Sequence, residues 1–384
     1  MKFRRIFLTV ACAILAYSMG FTVVLGQMVP AAERLVADSG GDSQPPFSET
    51  TVGHSPDAGF QDLGLGQSCD SHWTASADFL FMQRVGNVPY LLVETVPSSV
   101  PYEDLSKTAG TPVLNASDFS HGFSGGPRVG LVHHGDDGAD MEVSYFQIDG
   151  WDSYRAVGPT PDDWLVMRAP GNFLQAQDSP LHLNEQMVAW GYTSRLYNAE
   201  ANMRWHCWDR VTMLAGFRWV NVTEELVGIL APPGTDGAGT FWNTQTKNNL
   251  YGVQIGADAR LLERDRFSIG GVLKAGIFDN HAEETTSVRM ERIQFPESDS
   301  TDYLAFLGQL GVQCKYQVTP RLLFKVGYEV IWLQGVALAP GQIPETYSSY
   351  GGLNPLDTHV QAVGVNCNSG VLYHGGAAGL EYAF

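Results

Sequence analysis

The chain has 384 residues, with 41 acidic and 23 basic side chains and a formal net charge of −18. Binding to nucleic acid requires clustered lysine and arginine, so this charge balance argues against a nucleic-acid partner. Glycine contributes 42 residues and aromatic side chains make up 11% of the chain, a composition more typical of β-strands than of helices.

The N-terminus has the pattern of an export signal. Three basic residues lie within the first five positions, and an uncharged apolar run follows up to Gly26. A run of this length could also remain as a membrane-spanning helix. Because no second run of this kind occurs and the rest of the chain alternates like strands, we predict a cleaved signal peptide over residues 1–26. Ser, Gly, Asp and Pro dominate residues 27–70, which predicts a flexible linker.

Beyond the linker, apolar and polar residues alternate with a period of two, as expected for β-strands. In the first segment, Trp73, Phe79 and Phe81 share one face, and Thr74 and Asp78 share the other. The sequence predicts about ten strands (roughly 8–12). Most are longer than the ~5–6 residues usual in soluble domains and closer to the ~9–11 of a tilted membrane strand. The segments are 73–81, 128–131, 140–145, 197–205, 211–219, 251–260, 267–277, 304–316, 322–332 and 372–384.

The connections between these segments alternate strictly between long and short. The long ones are 85–121, 150–187, 223–247, 279–301 and 334–369, and the short ones are 133–139, 206–210, 263–266 and 317–321. This layout predicts an up-and-down barrel with tight periplasmic turns and long outer loops. A Greek-key sandwich has no reason to alternate in this way.

One face of each segment is apolar, and no helix is available to cover it. A sheet that closes on itself can show this face to lipid and its polar face to the lumen. We therefore predict an all-β fold over residues 71–384, a closed antiparallel up-and-down transmembrane β-barrel in the cell outer membrane, with membrane lipid as a partner. Aromatic residues near strand ends fit interfacial girdles: Trp205, Trp219, Tyr328, Trp332 and Tyr382.

Charged and amide side chains on the polar face are the candidate functional residues. They are Asp78, Glu142, Glu200, Asn202, Arg204, Arg218, Asp258, Arg260, Lys274, Lys325 and Glu329. They could line an ion-selective lumen, or they could form a network of ion pairs that fills a narrow barrel. A barrel of about ten strands leaves little more than side-chain space inside, which favours the filled network.

The last residues, GLEYAF, end in an aromatic side chain at the carboxyl terminus. Gly379, Tyr382 and Phe384 resemble the terminal-strand signal by which outer-membrane barrels are recognised. The ending therefore predicts the barrel assembly machinery as a partner.

Four stretches carry a family resemblance: WTASADFLFMQR, GGPRVGLVHHGDDGADMEVSYFQIDGW, SRLYNAEANMRWHCWDRVTMLAGFRWVNVTEEL and YHGGAAGLEYAF. They resemble the beta barrel porin-7 family of outer-membrane proteins, over roughly residues 70–384. The resemblance implies the outer-membrane location, the barrel fold and a pore function. It carries over no catalytic residue.

No motif predicts catalysis, a metal or a cofactor. His133 and His134 precede two aspartates on a short turn, where a solvated turn is the expected interpretation. Four cysteines follow the signal, Cys69, Cys207, Cys314 and Cys367, and none forms a CxxC pair. They could form one or two disulfides in any of three pairings, or remain isolated thiols. The sequence therefore predicts a porin-like or structural barrel, with small solutes as candidate cargo. The alternative is a closed barrel whose long loops bind a surface partner.

Overall fold

A computed structural model of the chain describes residues 72–101, 104, 108–135, 138–158, 162–167, 187–231, 240–290, 293–343, 346–349, 359–362 and 364–384. All of them belong to the larger of two compact units, Asp62–Phe384. The predicted signal peptide and linker lie outside the described residues.

Ten long strands form one closed antiparallel barrel, which confirms the predicted fold. Strands are numbered in chain order from β1 to β15, and each barrel strand pairs with the barrel strands before and after it in the chain. The last barrel strand pairs with the first, from Thr74 opposite Ala383 to Val85 opposite Leu372, and this seam closes the sheet. The barrel strands are β1 Trp73–Val85, β4 Phe123–His134, β5 Ala139–Val157, β7 Met187–Trp208, β8 Val211–Ala231, β9 Thr240–Arg264, β10 Phe267–Met290, β11 Ile293–Thr319, β12 Leu322–Val336 and β15 Ser369–Ala383.

Tight turns join the strands at one end of the barrel, where the sequence predicts short connections. Only two residues separate β7 from β8, β9 from β10, and β11 from β12. Asp265, between β9 and β10, has a φ of 51°, a left-handed conformation that aspartate tolerates in turns. In bacterial barrels such turns face the periplasm.

The other end carries the remaining elements. Three short strands form a small sheet in the order β3–β2–β6, and β13 pairs with β14. One short helix, α1, follows β12 and is buried. None of the helices in the described part of the chain is long and apolar enough to span a membrane. The bounds are β2 Leu91–Pro97, β3 Thr111–Asn115, β6 Asp163–Met167, α1 Ala339–Gln342, β13 Thr346–Ser349 and β14 His359–Ala362.

The outer face of the barrel is apolar over a band that starts at the tight turns. On β10 the outward positions from Phe267 to Ile277 carry no charge, and Leu273 is 59% exposed. Eleven residues at about 3.3 Å each, tilted by about 40°, rise about 28 Å, close to the ~25 Å apolar band of membrane barrels. Exposed aromatic side chains cluster at the turn end of the band: Trp73, Trp205, Trp208, Phe267, Tyr316, Phe324 and Tyr382.

Beyond this band the two faces of the strands exchange character. On β10, Asp279 and His281 point outward, whereas Phe278 and Ala282 point inward and are buried. The same reversal occurs on β8 and β9, where the inward side chains of Val220, Val222, Leu226, Trp242 and Leu250 are buried. A polar outer face and an apolar inner face suit a sheet in water. The barrel therefore continues past the membrane as a water-exposed extension, which we call the outer extension.

Two of the predicted long loops belong to this extension, so their prediction as loops is wrong. Residues 223–247 contain the end of β8 and the start of β9, and residues 279–301 contain the end of β10 and the start of β11. Their polar outward residues have the composition of loops, because the surrounding medium is water rather than lipid.

A closed barrel wrapped by an apolar band with an aromatic edge is the form in which strands cross a membrane. The chain is an outer-membrane β-barrel protein.

Candidate functional site

The charges that the sequence places on the polar face lie inside the barrel, and they pair with one another. The Asp78 carboxylate lies 2.8 Å from Arg128 Nε and 3.1 Å from Lys325 Nζ. The same arginine reaches Glu329 at 2.8 Å. Because Arg128 is on β4 and Glu329 is on β12, this network joins strands that are not neighbours in the sheet.

A second network is centred on Glu200 of β7. Its carboxylate accepts a hydrogen bond of 2.7 Å from Lys274 Nζ and one of 3.2 Å from Asn202 Nδ2. Arg218 Nη1 lies 3.5 Å from the same carboxylate and donates to Gln309 Oε1 at 2.8 Å. The side chains of Glu200 and Arg218 are 4% and 1% exposed. Buried charges of this kind persist only when opposite charges and hydrogen bonds compensate them, and both are present.

A third network lies closer to the tight turns. Arg204 donates from one Nη atom to Glu142 and from the other to Asp258, the second at 2.6 Å. Arg260 stays apart from all three networks and lies 3.6 Å from Glu263. All the predicted lumen residues except Arg260 therefore enter these networks, and Gln309 joins the first two because its Nε2 donates to Glu329 Oε2 at 3.1 Å.

The three residues of the terminal signal lie at the seam between β15 and β1. Tyr382 is 45% exposed on the outer face, and its ring stacks on Phe384 with 6.2 Å between centroids. The backbone N–H of Phe384 donates to the carbonyl of Trp73 at 2.9 Å. Gly379 faces the lumen, where a Cβ would lie 2.1 Å from Asp78 Oδ1. Tyr382 and Phe384 thus lie at the turn end of the seam, and the absence of a side chain at Gly379 leaves room for Asp78 of the first charged network.

An apolar layer closes the lumen next to the charged networks. Nine of the ten barrel strands contribute buried side chains to it, all except β4. The side chains include Leu80, Phe146, Leu196, Val220, Leu250, Phe278, Leu307, Ile331 and Tyr373, each at most 3% exposed. Their packing across the lumen resembles a protein core rather than the wall of a channel.

A buried ion pair lies on the outer side of this layer. Arg84 of β1 donates from Nε to Glu224 Oε1 at 3.1 Å, and both side chains are 0% exposed. Tyr192 donates its hydroxyl to Glu224 Oε2 at 2.6 Å. This pair was not predicted from the sequence, because Glu224 falls in a segment predicted to be a loop. The signal was present, since Glu224 has the same parity as Arg218 on β8.

From the last two residues of β12 onward, the chain turns into the mouth of the barrel instead of leaving it. We call Gly335–Ile343 the inserted segment. The wall binds its backbone: Asn248 accepts from the N–H of Ala337 at 2.7 Å and donates to its carbonyl at 2.8 Å. Glu224 accepts from the N–H of Ala339 at 3.1 Å, and Asn280 donates to the carbonyl of Gly335 at 2.9 Å. The inserted segment thus occupies the lumen above the apolar layer.

At the end with the tight turns, five side chains form one chain of hydrogen bonds along the rim. His134 and His206 each approach Asp140 Oδ2, at 3.2 and 3.1 Å. The other ring nitrogen of each histidine contacts a threonine hydroxyl, Thr74 at 2.8 Å and Thr212 at 3.0 Å. These residues lie on five adjacent strands, and we call them the rim relay. The rim relay was not predicted from the sequence, because hydrogen-bonded partners within it are up to 66 residues apart.

Neither a disulfide nor a metal centre is found among the described residues. Cys207, Cys314 and Cys367 are free thiols, and Cys69 lies outside the part of the chain that the structure describes. No group of three or more His, Cys, Asp and Glu side chains in that part is arranged to hold a metal ion.

Comparisons with known proteins give structural likenesses only. No protein-family profile and no curated protein matches the chain. The outer membrane protease OmpT from Escherichia coli is 11% identical, with a TM-score of 0.47, over 83% of this chain and 99% of that one. The Pseudomonas putida toluene transporter TodX is 9% identical, with a TM-score of 0.32, over 82% and 90%. The translocator domain of the autotransporter NalP from Neisseria meningitidis is 8% identical, with a TM-score of 0.32, over 84% and 91%.

Proposed function

We propose that this protein is a non-conducting outer-membrane barrel that acts through its outer extension by binding a partner at the cell surface. The apolar layer across the lumen carries the proposal. It consists of wall side chains from nine strands, so moving a loop does not remove it. The inserted segment and the charged networks lie on its two sides.

Conductance in planar bilayers tests the closed lumen. We expect the purified barrel to give no ion steps, because apolar side chains in van der Waals contact leave no hydrated path. The control is the triple variant Phe278→Ala, Ile331→Ala and Tyr373→Ala, which removes the bulk of the layer and should conduct if the layer is the barrier. Regular ion steps from the unaltered barrel would refute the proposal.

The outer extension supplies the surface for a partner. Its outward face is rich in exposed acidic and amide groups. Two of the longest strands of the barrel, β10 and β11, form one hairpin of this extension. Shortening this hairpin by removing residues 285–298 should leave the membrane band intact and abolish adhesion of cells that display the protein. Unchanged adhesion would place the binding surface elsewhere.

Passage of small solutes is the second candidate function, and the charges at membrane depth favour it. Asp78, Glu200 and Arg218 lie inside the band that lipid surrounds, where a buried charge costs desolvation energy even when it is paired. This candidate predicts ion steps from the unaltered protein, the opposite outcome of the same bilayer experiment. The resemblance to the beta barrel porin-7 family fits this candidate and remains part of the proposal.

Membrane lipid and the barrel assembly machinery complete the proposed partners. Tyr382 and Phe384 end the strand that closes the seam, which suits recognition before closure. Deleting Phe384 should reduce the folded fraction in outer membranes, read as the fast-migrating band of an unboiled gel. Deletion of the signal without loss of that band would contradict this role.

A further inference from the structure

The rim relay has only one consistent arrangement of protons when its histidines are neutral. An ionised carboxylate only accepts hydrogen bonds, so both ring nitrogens that approach Asp140 Oδ2 must carry a proton. The remaining nitrogens are then bare acceptors. Thr74 therefore donates its hydroxyl proton to His134 Nε2 at 2.8 Å, and His134 Nδ1 donates to Asp140 at 3.2 Å.

This arrangement matches that of an activated nucleophile. A hydroxyl faces Nε2 of a histidine, and a carboxylate orients the same ring through Nδ1, as in serine hydrolases. The second half of the relay has the nitrogens exchanged, since Thr212 faces His206 Nδ1 and Asp140 faces Nε2. The two halves share the carboxylate but differ in geometry.

The rim relay is accessible to molecules from the periplasmic side. The side chain of His134 is 34% exposed, whereas that of Asp140 is 7% exposed. Thr74 is half-buried and follows Trp73 at the edge of the membrane band. The lumen next to it is polar, because Ser76 and Asp78 follow Thr74 on the same face of β1. A small polar substrate fits this environment better than a long alkyl chain.

We propose that Thr74, His134 and Asp140 form an acyl-transfer site that hydrolyses short-chain carboxylic esters on the periplasmic side. This activity is independent of the proposed binding role of the outer extension. Thr74 is the nucleophile, His134 is the general base and then the general acid, and Asp140 is a positioning residue.

The reaction balances without any further reactant except water. Thr74 Oγ1 bonds to the ester carbonyl carbon while its proton moves to His134 Nε2. The bond to the leaving alcohol oxygen then breaks, and the same proton passes to that oxygen. Water attacks the resulting threonyl ester, His134 takes its proton and returns it to Thr74, and a carboxylic acid leaves. No electron transfer is involved.

Labelling of the folded barrel in detergent tests the site directly. A fluorophosphonate probe should add once, and peptide mapping should place the adduct on Thr74. The protein should also release p-nitrophenol from p-nitrophenyl acetate. His134→Gln should lower this rate by about 100-fold, the lower end of the range for general-base catalysis.

Paired variants separate catalysis from rim stability. Thr74→Val should abolish both adduct and hydrolysis, Thr74→Ser should retain them, and Thr223→Val, which removes an exposed-face hydroxyl far from the rim relay, should leave both unchanged. The mobility of unboiled protein on a gel reports folding in each case. The proposal is overturned if the unaltered barrel takes no adduct, if the adduct maps to another residue, or if folded Thr74→Val hydrolyses ester at the unaltered rate.

Discussion

Gly379 shows how one residue connects the seam of the barrel to the chemistry of its lumen. A Cβ at this position would lie 2.1 Å from Asp78 Oδ1 and 2.3 Å from the carbonyl oxygen of Ala77. The backbone of β1 at Ala77 cannot move away from such a Cβ without disrupting the pairing of β1 with β15. At Gly376, three residues earlier on the same strand, the nearest atom would lie at 3.8 Å. The two glycines therefore meet different constraints within one strand.

We expect Gly379→Ala to destabilise the barrel and Gly376→Ala to be nearly neutral. Overpacking of this kind costs about 1–3 kcal/mol, and displacement of Asp78 adds the loss of its pairing with Arg128 and Lys325. Urea unfolding in lipid vesicles, followed by the unboiled gel band, gives both values. Equal stability of the two variants would show that the seam relaxes easily.

His121 is a buried histidine in the connection that precedes β4, on the outer side of the membrane band. It is 2% exposed, and its ring contacts Tyr192 with 4.9 Å between centroids. Burial, and after it the charge of Arg84, lowers the pKa of His121 from 6.5 to about 4. The folded form therefore keeps this imidazole neutral under conditions in which an opened form would protonate it.

Acid should consequently loosen the packing around His121. Above pH 6.5 both forms are neutral and the histidine has no effect on stability. As the pH falls from 6.5 to about 4, the opened form takes up a proton that the folded form excludes, at a cost of roughly 1–3 kcal/mol. Hydrogen-exchange protection of residues 116–122, corrected for intrinsic rates, should decline over this interval. His121→Gln should remove the decline, and an unchanged decline in that variant would assign it to other groups.

The position of the inserted segment depends in part on hydrogen bonds from side chains of the wall. Ala337 has no exposed surface, yet its N–H and carbonyl both bond to the amide of Asn248. A buried backbone group that loses its partner costs about 1–3 kcal/mol. The amide of Asn248 thus substitutes for a neighbouring strand.

Asn248→Ala should release the inserted segment from the mouth of the barrel. We expect a loss of about 2–6 kcal/mol from the two unpaired backbone groups, and new protease cleavage within residues 335–343. Asn249→Ala is the matched control, because the neighbouring side chain points to the outer face and does not contact the segment. If both variants are equally resistant to protease, the segment is held by its apolar contacts instead.

The elements of the membrane band could be predicted from the sequence, and those of the outer extension could not. Phe217 and Trp219 alternate with Gly216 and Arg218, so this pattern predicts both the strand and its lipid face. From Val220 onward the apolar residues change parity, because water replaces lipid outside and packing replaces charge inside. If the same parity is taken as the apolar face throughout, this change of parity is interpreted as the end of a strand. The rim relay could not be predicted for another reason: its residues come into contact only when the barrel closes.

At the scale of the whole molecule, the exchange of faces marks where the outer leaflet of the membrane ends. Leu273 and Thr285 both lie on β10, and both side chains are exposed on the outer face. They differ in the medium around them: the first lies within the apolar band, and the second lies in the outer extension. If the same charge is introduced at each position, the difference in the free energy of unfolding between the two variants therefore reports the surrounding medium.

Leu273→Lys should destabilise the barrel by about 2–4 kcal/mol in lipid vesicles, as a lysine near the bilayer midplane does in other barrels, and Thr285→Lys should change stability by less than about 1 kcal/mol. Reversible urea unfolding in vesicles measures both, with Leu273→Ala as a control for lost apolar area. The difference arises because lipid cannot solvate the ammonium group, whereas water outside the membrane can. If the two lysine variants lose the same stability, then lipid does not surround Leu273 and the exchange of faces has another cause. If Thr285→Lys loses as much as expected for Leu273→Lys, then the band extends further along β10 than its apolar residues indicate.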